Sequence, residues 1–143
     1  MQERKYRGIS YETNTFVYGW LHQTKYESNK YFIRTFPNED DDYVDVVVDK
    51  NTIGQEIGLT DKYDVKIFEG DIVRRRKVNV DKYLEDRTLE YNESVGVITW
   101  DEERLKYYIQ NNSNEYEDML KLFKYTYEVI GNIYENPELL EVK

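Results

Sequence analysis

The chain has 143 residues, enough for one domain or two very small ones. A formal net charge of -9 argues against whole-surface binding to nucleic-acid phosphates, and the absence of cysteine excludes disulfides and thiolate chemistry. Although 34% of residues are charged, 15% are aromatic, so the chain carries apolar surface that disordered sequences lack. The opening "MQERKYRGIS" has no apolar run of a secretory leader, and no stretch approaches membrane-spanning length. The expectation is a cytoplasmic protein that avoids anionic membranes.

In chain order, Tyr6 to Asn51 reads as strands. "FVYGWL" (Phe16 to Leu21) and "KYFIRTF" (Lys30 to Phe36) are aromatic and β-branched, with the polar loop "HQTKYESN" between them. After Pro37 and "NEDDD", the run "YVDVVVD" puts Val44, Val46 and Val48 on one face, expected to be the buried one. Gly54 and Gly58 punctuate the next stretch, and "TDKYD" supplies turn residues. "KIFEGDIVRR" reads as strand, corner and strand: Gly70 accepts a positive φ, and Asp71 can bond nearby backbone. Residues 74–93 are highly charged and read as a mobile loop or a hairpin extension, with Val80, Tyr83 and Leu84 at helical spacing. "SVGVITWDEE" and "LKYYIQN" are strands.

The spacing of Tyr116, Met119, Leu120 and Phe123 predicts a short late helix over "NEYEDMLKLFKY", with Asn114 as its cap. "YTYEVIGNIY" is a closing strand, with Gly131 marking a bulge or a tight packing point. Asn136-Pro137 turns the chain away, leaving Leu139 and Leu140 to cap the core. These elements predict a mainly β, barrel-like fold. They divide it into a β segment at 1–52 and a domain at 53–143 with a charged insertion at 74–93.

Three stretches carry a resemblance: "IGQEIGLTDKYDVKIFEGDIV", "VGVITWDEE" and "EVIGNIYENPELLE". With the opening "YRGISYETNTFVYGWL", they resemble the YopX family of bacteriophage and prophage proteins, which has no established biochemical function. The resemblance implies an SH3-like barrel in the C-terminal half and a bacterial host cytoplasm as the place of action. Where the family has an Asn-Gly-type turn, this chain has Tyr63-Asp64-Val65, so a wider turn is expected in place of a tight hairpin.

Catalytic groups are sparse. His22 is the only histidine, so any triad would have to use it, and its place among polar residues reads as a solvated loop. One histidine and no cysteine leave no zinc set. The acidic "NEDDDYVDVVVD" lacks the glycine and distal glutamate of an EF-hand, and reads as a solvated loop that guards a strand edge. No phosphate-binding glycine loop occurs, and nothing singles out a carboxylate pair for glycoside hydrolysis.

The expectation is a protein without catalytic residues, metal or cofactor. Its candidate binding surface is the basic run Arg74, Arg75, Arg76 and Lys77 together with Trp100. Gly70, Asp71, Gly131, Asn136 and Pro137 are expected to be structural. The leading reading is a non-enzymatic module that binds a host or phage protein, or a second copy of itself, through sheet edges. The alternative is a nucleic-acid role, by direct contact through residues 74–77 or by acidic mimicry of DNA. A carboxylate-based enzyme comes last, and would need a concave site holding a carboxyl of raised pKa.

Overall fold

The computed structural model describes residues 5–23, 29–37, 42–111, 116–118 and 126–140. Packing divides the chain into two compact units, Met1–Gly58 and Leu59–Lys143. The division falls inside a strand; the sequence reading puts it after Thr52.

In the first unit, β1 (Tyr6–Ile9), β2 (Phe16–His22), β3 (Tyr31–Thr35) and β4 (Val44–Val48) form an antiparallel meander. β5 (Gly54–Thr60) returns along β1, with Arg7 opposite Gly54. The order is therefore β4-β3-β2-β1-β5, with β6 (Lys66–Phe68) following β5 in the same sheet. One bridge, Ser10 to Val48, joins the end of β1 to the end of β4.

The valine alternation in β4 is only partly realised. Val48 is 2% exposed and Val46 is half-buried, but Val44 near the strand start is 48% exposed. Ile33 and Ile57 complete the apolar centre. The strands approach closely at Gly19, where a Cβ would lie 2.0 Å from the Arg34 carbonyl oxygen.

The second unit carries a five-stranded sheet ordered β10-β9-β8-β7-β11. Its strands are β7 (Asp71–Val78), β8 (Tyr91–Asp101), β9 (Lys106–Asn111), β10 (Tyr116–Asp118) and β11 (Thr126–Asn132). Ile67, Ile72, Val73 and Ile98 are at most 1% exposed, and Ile109 and Tyr127 join them in the core. Both strands at the Gly70 corner are therefore anchored. Gly70 takes φ 91°, and the Phe68 N–H donates to Asp71 Oδ2 at 2.8 Å, as the "EGD" reading expects.

Of the two readings of the charged stretch, the hairpin extension is the one found: β7 runs to Val78, the helix α1 (Val80–Asp86) takes up the helical spacing of Val80, Tyr83 and Leu84, and β8 begins at Tyr91. Asn79 caps α1 by accepting from the Lys82 N–H at 3.1 Å. The helix expected over "NEYEDMLKLFKY" fails where it can be seen, because Tyr116–Asp118 is a strand paired with β9; residues 119–125 lie outside the described set. There the pull of the cross-strand ladder overrides helical spacing. No closed barrel is found among the described residues.

His22 ends β2 rather than sitting in a loop. It is half-buried, and its ring lies 6.4 Å from that of Phe32, its cross-strand partner. Residues 38–41 of the acidic stretch lie outside the described set.

The chain end is a structural knot. The register of β11 slips between Val129 and Gly131, the bulge expected from the glycine. A Cβ on Gly131 would stand 2.6 Å from Asn136 Oδ1, so packing also demands glycine there. Asn132 Oδ1 accepts from the N–H groups of Tyr134 and Glu135, and the Asn136 N–H donates to the Asn132 carbonyl at 2.9 Å. Pro137–Leu140 then forms a short 3-10 turn. The strand stops at Asn132, so Ile133 and Tyr134 belong to the turn between the strand and that 3-10 segment.

Candidate functional site

The basic run lies in β7, where strand alternation sends Arg74 and Arg76 to one face and Arg75 and Lys77 to the other. Cross-strand acids meet the first pair. Glu128 stands opposite Arg74, with Nη1 to Oε2 at 3.6 Å, and Lys62 approaches the same oxygen at 3.7 Å. Glu93 stands opposite Arg76 and accepts from its Nε at 2.7 Å, while the guanidinium also lies 5.1 Å from the Tyr91 ring centre. Arg74 and Arg76 are thus engaged by neighbouring strands.

Trp100 does not join that run. On β8, Glu93 shares a face with Arg76, which leaves Ser94, Gly96, Ile98 and Trp100 on the opposite face. Ser94 pairs with Arg75, and Trp100 lies roughly 20 Å further along the strand. The residues read as one surface are therefore two separate places. Trp100 is 37% exposed and held edge-to-face by Tyr107, its cross-strand partner, at 4.8 Å.

Trp100 helps line a depression of about 510 Å³ together with Glu69, Glu102, Ile133 and Tyr134. A neighbouring depression of about 460 Å³ is lined by Trp100, Asp101, Glu102, Glu103, Arg104 and Tyr108. Burial pushes the Glu69 carboxyl above its usual range, because the half-buried site disfavours the ionised form. The second carboxylate, Glu102, is exposed on the β8–β9 turn and is not itself buried.

A third feature was not legible in the sequence. In the first unit, Trp20, Arg34 and Asp45 occupy one cross-strand row. Phe36 packs edge-to-face on Trp20 at 5.8 Å and on Tyr43 at 6.4 Å. The Arg34 guanidinium lies 3.8 Å from the Tyr43 ring centre and forks onto Asp45 with bonds of 2.9 and 3.1 Å. That hydrogen bonding holds the Asp45 carboxyl below its usual range. The aromatic rings remain open: Phe36 is 51% and Tyr43 50% exposed. Trp20, Phe36 and Tyr43 come from three chain segments, so only register aligns them. The available signal was the aromatic alternation Tyr18, Trp20 on the face opposite Gly19.

The wider turn anticipated at Tyr63-Asp64-Val65 is present. The Asp61 N–H donates to the Val65 carbonyl at 2.8 Å, and Asp64 takes φ 66°. Asp61 is 7% exposed and organises the turn. Its Oδ1 accepts from the N–H groups of Tyr63 and Val65, and its Oδ2 from that of Val129 on β11, each at 2.9 Å. Burial pushes this carboxyl up, but the three backbone donors outweigh it and hold it below its usual range. Among the described residues, no group of three or more potential metal ligands is found, and no helix is long and apolar enough to cross a membrane.

Three chains among the solved structures match this one. A crystal structure of protein EF1440 from Enterococcus faecalis is similar over 99% of this chain and 100% of its own, with a TM-score of 0.54 and 23% identity. That likeness concerns the fold. No curated protein matched the chain. The family model described as YopX protein matches residues 5–141, covering the opening strands, the "EGDIV" corner and the Asn132–Asn136 knot. The chain belongs to the YopX family.

Proposed function

We propose that this protein is a phage- or prophage-encoded, non-enzymatic binding module that docks, in the bacterial cytoplasm, onto a host or phage protein or onto a second copy of itself. The observation that carries this reading is the open aromatic row Trp20–Phe36–Tyr43, rigidified by its own ring contacts and by Arg34. Aromatic rings held in place lose little conformational freedom on binding, and a contiguous exposed patch of this kind favours a protein partner. Direct phosphate binding through residues 74–77 is disfavoured, since Arg74 and Arg76 already face Glu128 and Glu93.

The SH3-like barrel is part of the same proposal. Backbone bonding from Lys62 N–H to the Tyr127 carbonyl at 2.9 Å, with Asp61 on Val129, ties the β5–β6 turn to β11 along the path of closure.

The test combines sedimentation with capture from host lysate, comparing the native chain with Phe36→Ser/Tyr43→Ser. The native chain is expected to assemble or retain a discrete partner, and the double variant to lose it while staying folded. A strict monomer that retains nothing, or a variant that retains the same partner, overturns the reading.

A further inference from the structure

β4 ends the first unit's sheet on one side, and its free edge is short. The Val47 carbonyl accepts from the Tyr11 N–H, and the Asp49 N–H donates to the Ile9 carbonyl. Odd-numbered residues of β4 therefore turn their main-chain groups away from β3. Those of Asp45 aim the same way, to the side where the sheet order has no further strand among the described residues, and Tyr43 continues the alternation. Tyr11 closes the edge at Val47, which leaves residues 42–46 for another strand.

Side chains on both faces of that edge stand open. Val44 shares a face with the buried Val48 yet is 48% exposed. On the other face Tyr43 is as open. The Arg34 guanidinium both stacks on its ring and forks onto Asp45, so the charge of Asp45 on this edge is already balanced. Outward N–H and C=O groups flanked by apolar side chains fit an extended strand rather than a sugar or an ion.

β4 is complementary to itself. A two-fold axis at Val44 sets the two Val44 residues opposite each other as a non-hydrogen-bonded pair, the kind with the closer side chains. Tyr43 of each copy then faces Asp45 of the other as a hydrogen-bonded pair. The valines cover each other, and each Tyr43 ring lands beside an Arg34–Asp45 pair. Neighbouring registers fit worse. An axis at Asp45 opposes two aspartates and needs the Val47 carbonyl that Tyr11 holds, and an axis at Tyr43 sets Val44 against Asp42.

We propose that β4 is a self-association edge, at which two copies pair antiparallel about Val44 and join their first-unit sheets into one. This rests on the binding-module reading and commits its occupant to a second copy.

The chain has no cysteine, so a single engineered one can form a protein disulfide only between copies. Full-length Val44→Cys is compared with Val65→Cys, the same substitution at a residue equally exposed, 48%, in the second unit. Paired across the axis, the two Cα atoms at position 44 would lie about 4.5 Å apart, inside the disulfide range. Under mild oxidation Val44→Cys is expected to give covalent dimer about tenfold faster or more, since pairing raises the local thiol concentration. Sedimentation equilibrium of the native chain should show a monomer–dimer equilibrium. Val44→Lys, meeting its own charge at the axis, should weaken it by about fivefold or more while the melting temperature holds.

Equal cross-linking at positions 44 and 65 overturns the proposal, as does a native chain that is monomeric throughout or a dimer untouched by Val44→Lys. The binding-module reading fails separately. A monomeric chain that still retains a lysate protein through Phe36 and Tyr43 keeps that reading and ends this one. A Val44-centred dimer that Phe36→Ser/Tyr43→Ser leaves intact keeps this pairing and denies the rings their role.

Discussion

Asp61→Asn tests how the turn and the closing strand are held. The substitution preserves shape, but one carboxylate oxygen becomes an NH2 donor. Whichever way the amide turns, it must face at least one of three backbone N–H donors, from Tyr63, Val65 and Val129, all bonded at 2.9 Å in the native chain. If Oδ1 keeps Tyr63 and Val65, the donor confronts Val129. Losing one hydrogen bond to a charged acceptor costs about 1.5–3 kcal/mol. Weakening two others from charge-assisted to neutral adds about 1 kcal/mol, giving on the order of 3 kcal/mol in all. For a unit of this size that corresponds to a fall in Tm of roughly 12–24 °C.

Calorimetry at neutral pH measures it, and a pH series adds a second check. The folded pKa of Asp61 is lowered, so its contribution is present above the unfolded carboxyl value of about 3.9 and is lost as pH falls through the folded pKa. The gap between native chain and variant should therefore close at acid pH. A cost below about 1 kcal/mol at neutral pH would refute the assignment, given the range expected for one lost bond to a charged acceptor.

Gly131→Ala should destabilise the second unit by about 1–3 kcal/mol, since its Cβ would enter the Asn136 side chain, and removal of the chain after Tyr134 should cost at least as much; thermal melts check both. Replacing Arg76 by Ala should change stability by less than about 1 kcal/mol, because its bond to Glu93 is half-exposed; a larger loss in denaturant titration would contradict that account. Glu69→Gln should stabilise the chain increasingly as pH rises. Its folded pKa is raised, so the folded chain keeps a proton that the unfolded chain has already released above about pH 4.3, and stability drops through that interval. A pH-independent difference in unfolding midpoints would show that burial does not govern Glu69.

Local chemistry was legible where it was self-contained. Gly70 and Asp71 make a corner because φ 91° and a bond three residues back are decided within that segment. The Gly131 bulge and the Asn136-Pro137 turn are similarly short-range. What failed depended on register. Tyr116 has helical spacing with Met119 and Phe123, yet it pairs with Gln110 in a ladder. Arg74 and Arg76 read as a free basic patch until cross-strand pairing sets Glu128 and Glu93 opposite them. Trp100 was read together with the basic run, but it lies on the face opposite Arg74 and Arg76 and roughly 20 Å or more along the strand from Arg75 and Lys77. The aromatic row needs three chain segments, β2 and the ends flanking β3 and β4, aligned at once, and a linear reading carries no such information.

The most direct test of the binding-module account is photo-crosslinking in lysogenic or infected cells. A photoreactive phenylalanine analogue would replace Phe36 in one protein and the comparably exposed Leu89, 62% accessible, in a control. The account predicts a discrete adduct to one protein, or to a second copy, from position 36 and none from position 89. No adduct at position 36, or the same diffuse adducts from both positions, would contradict it.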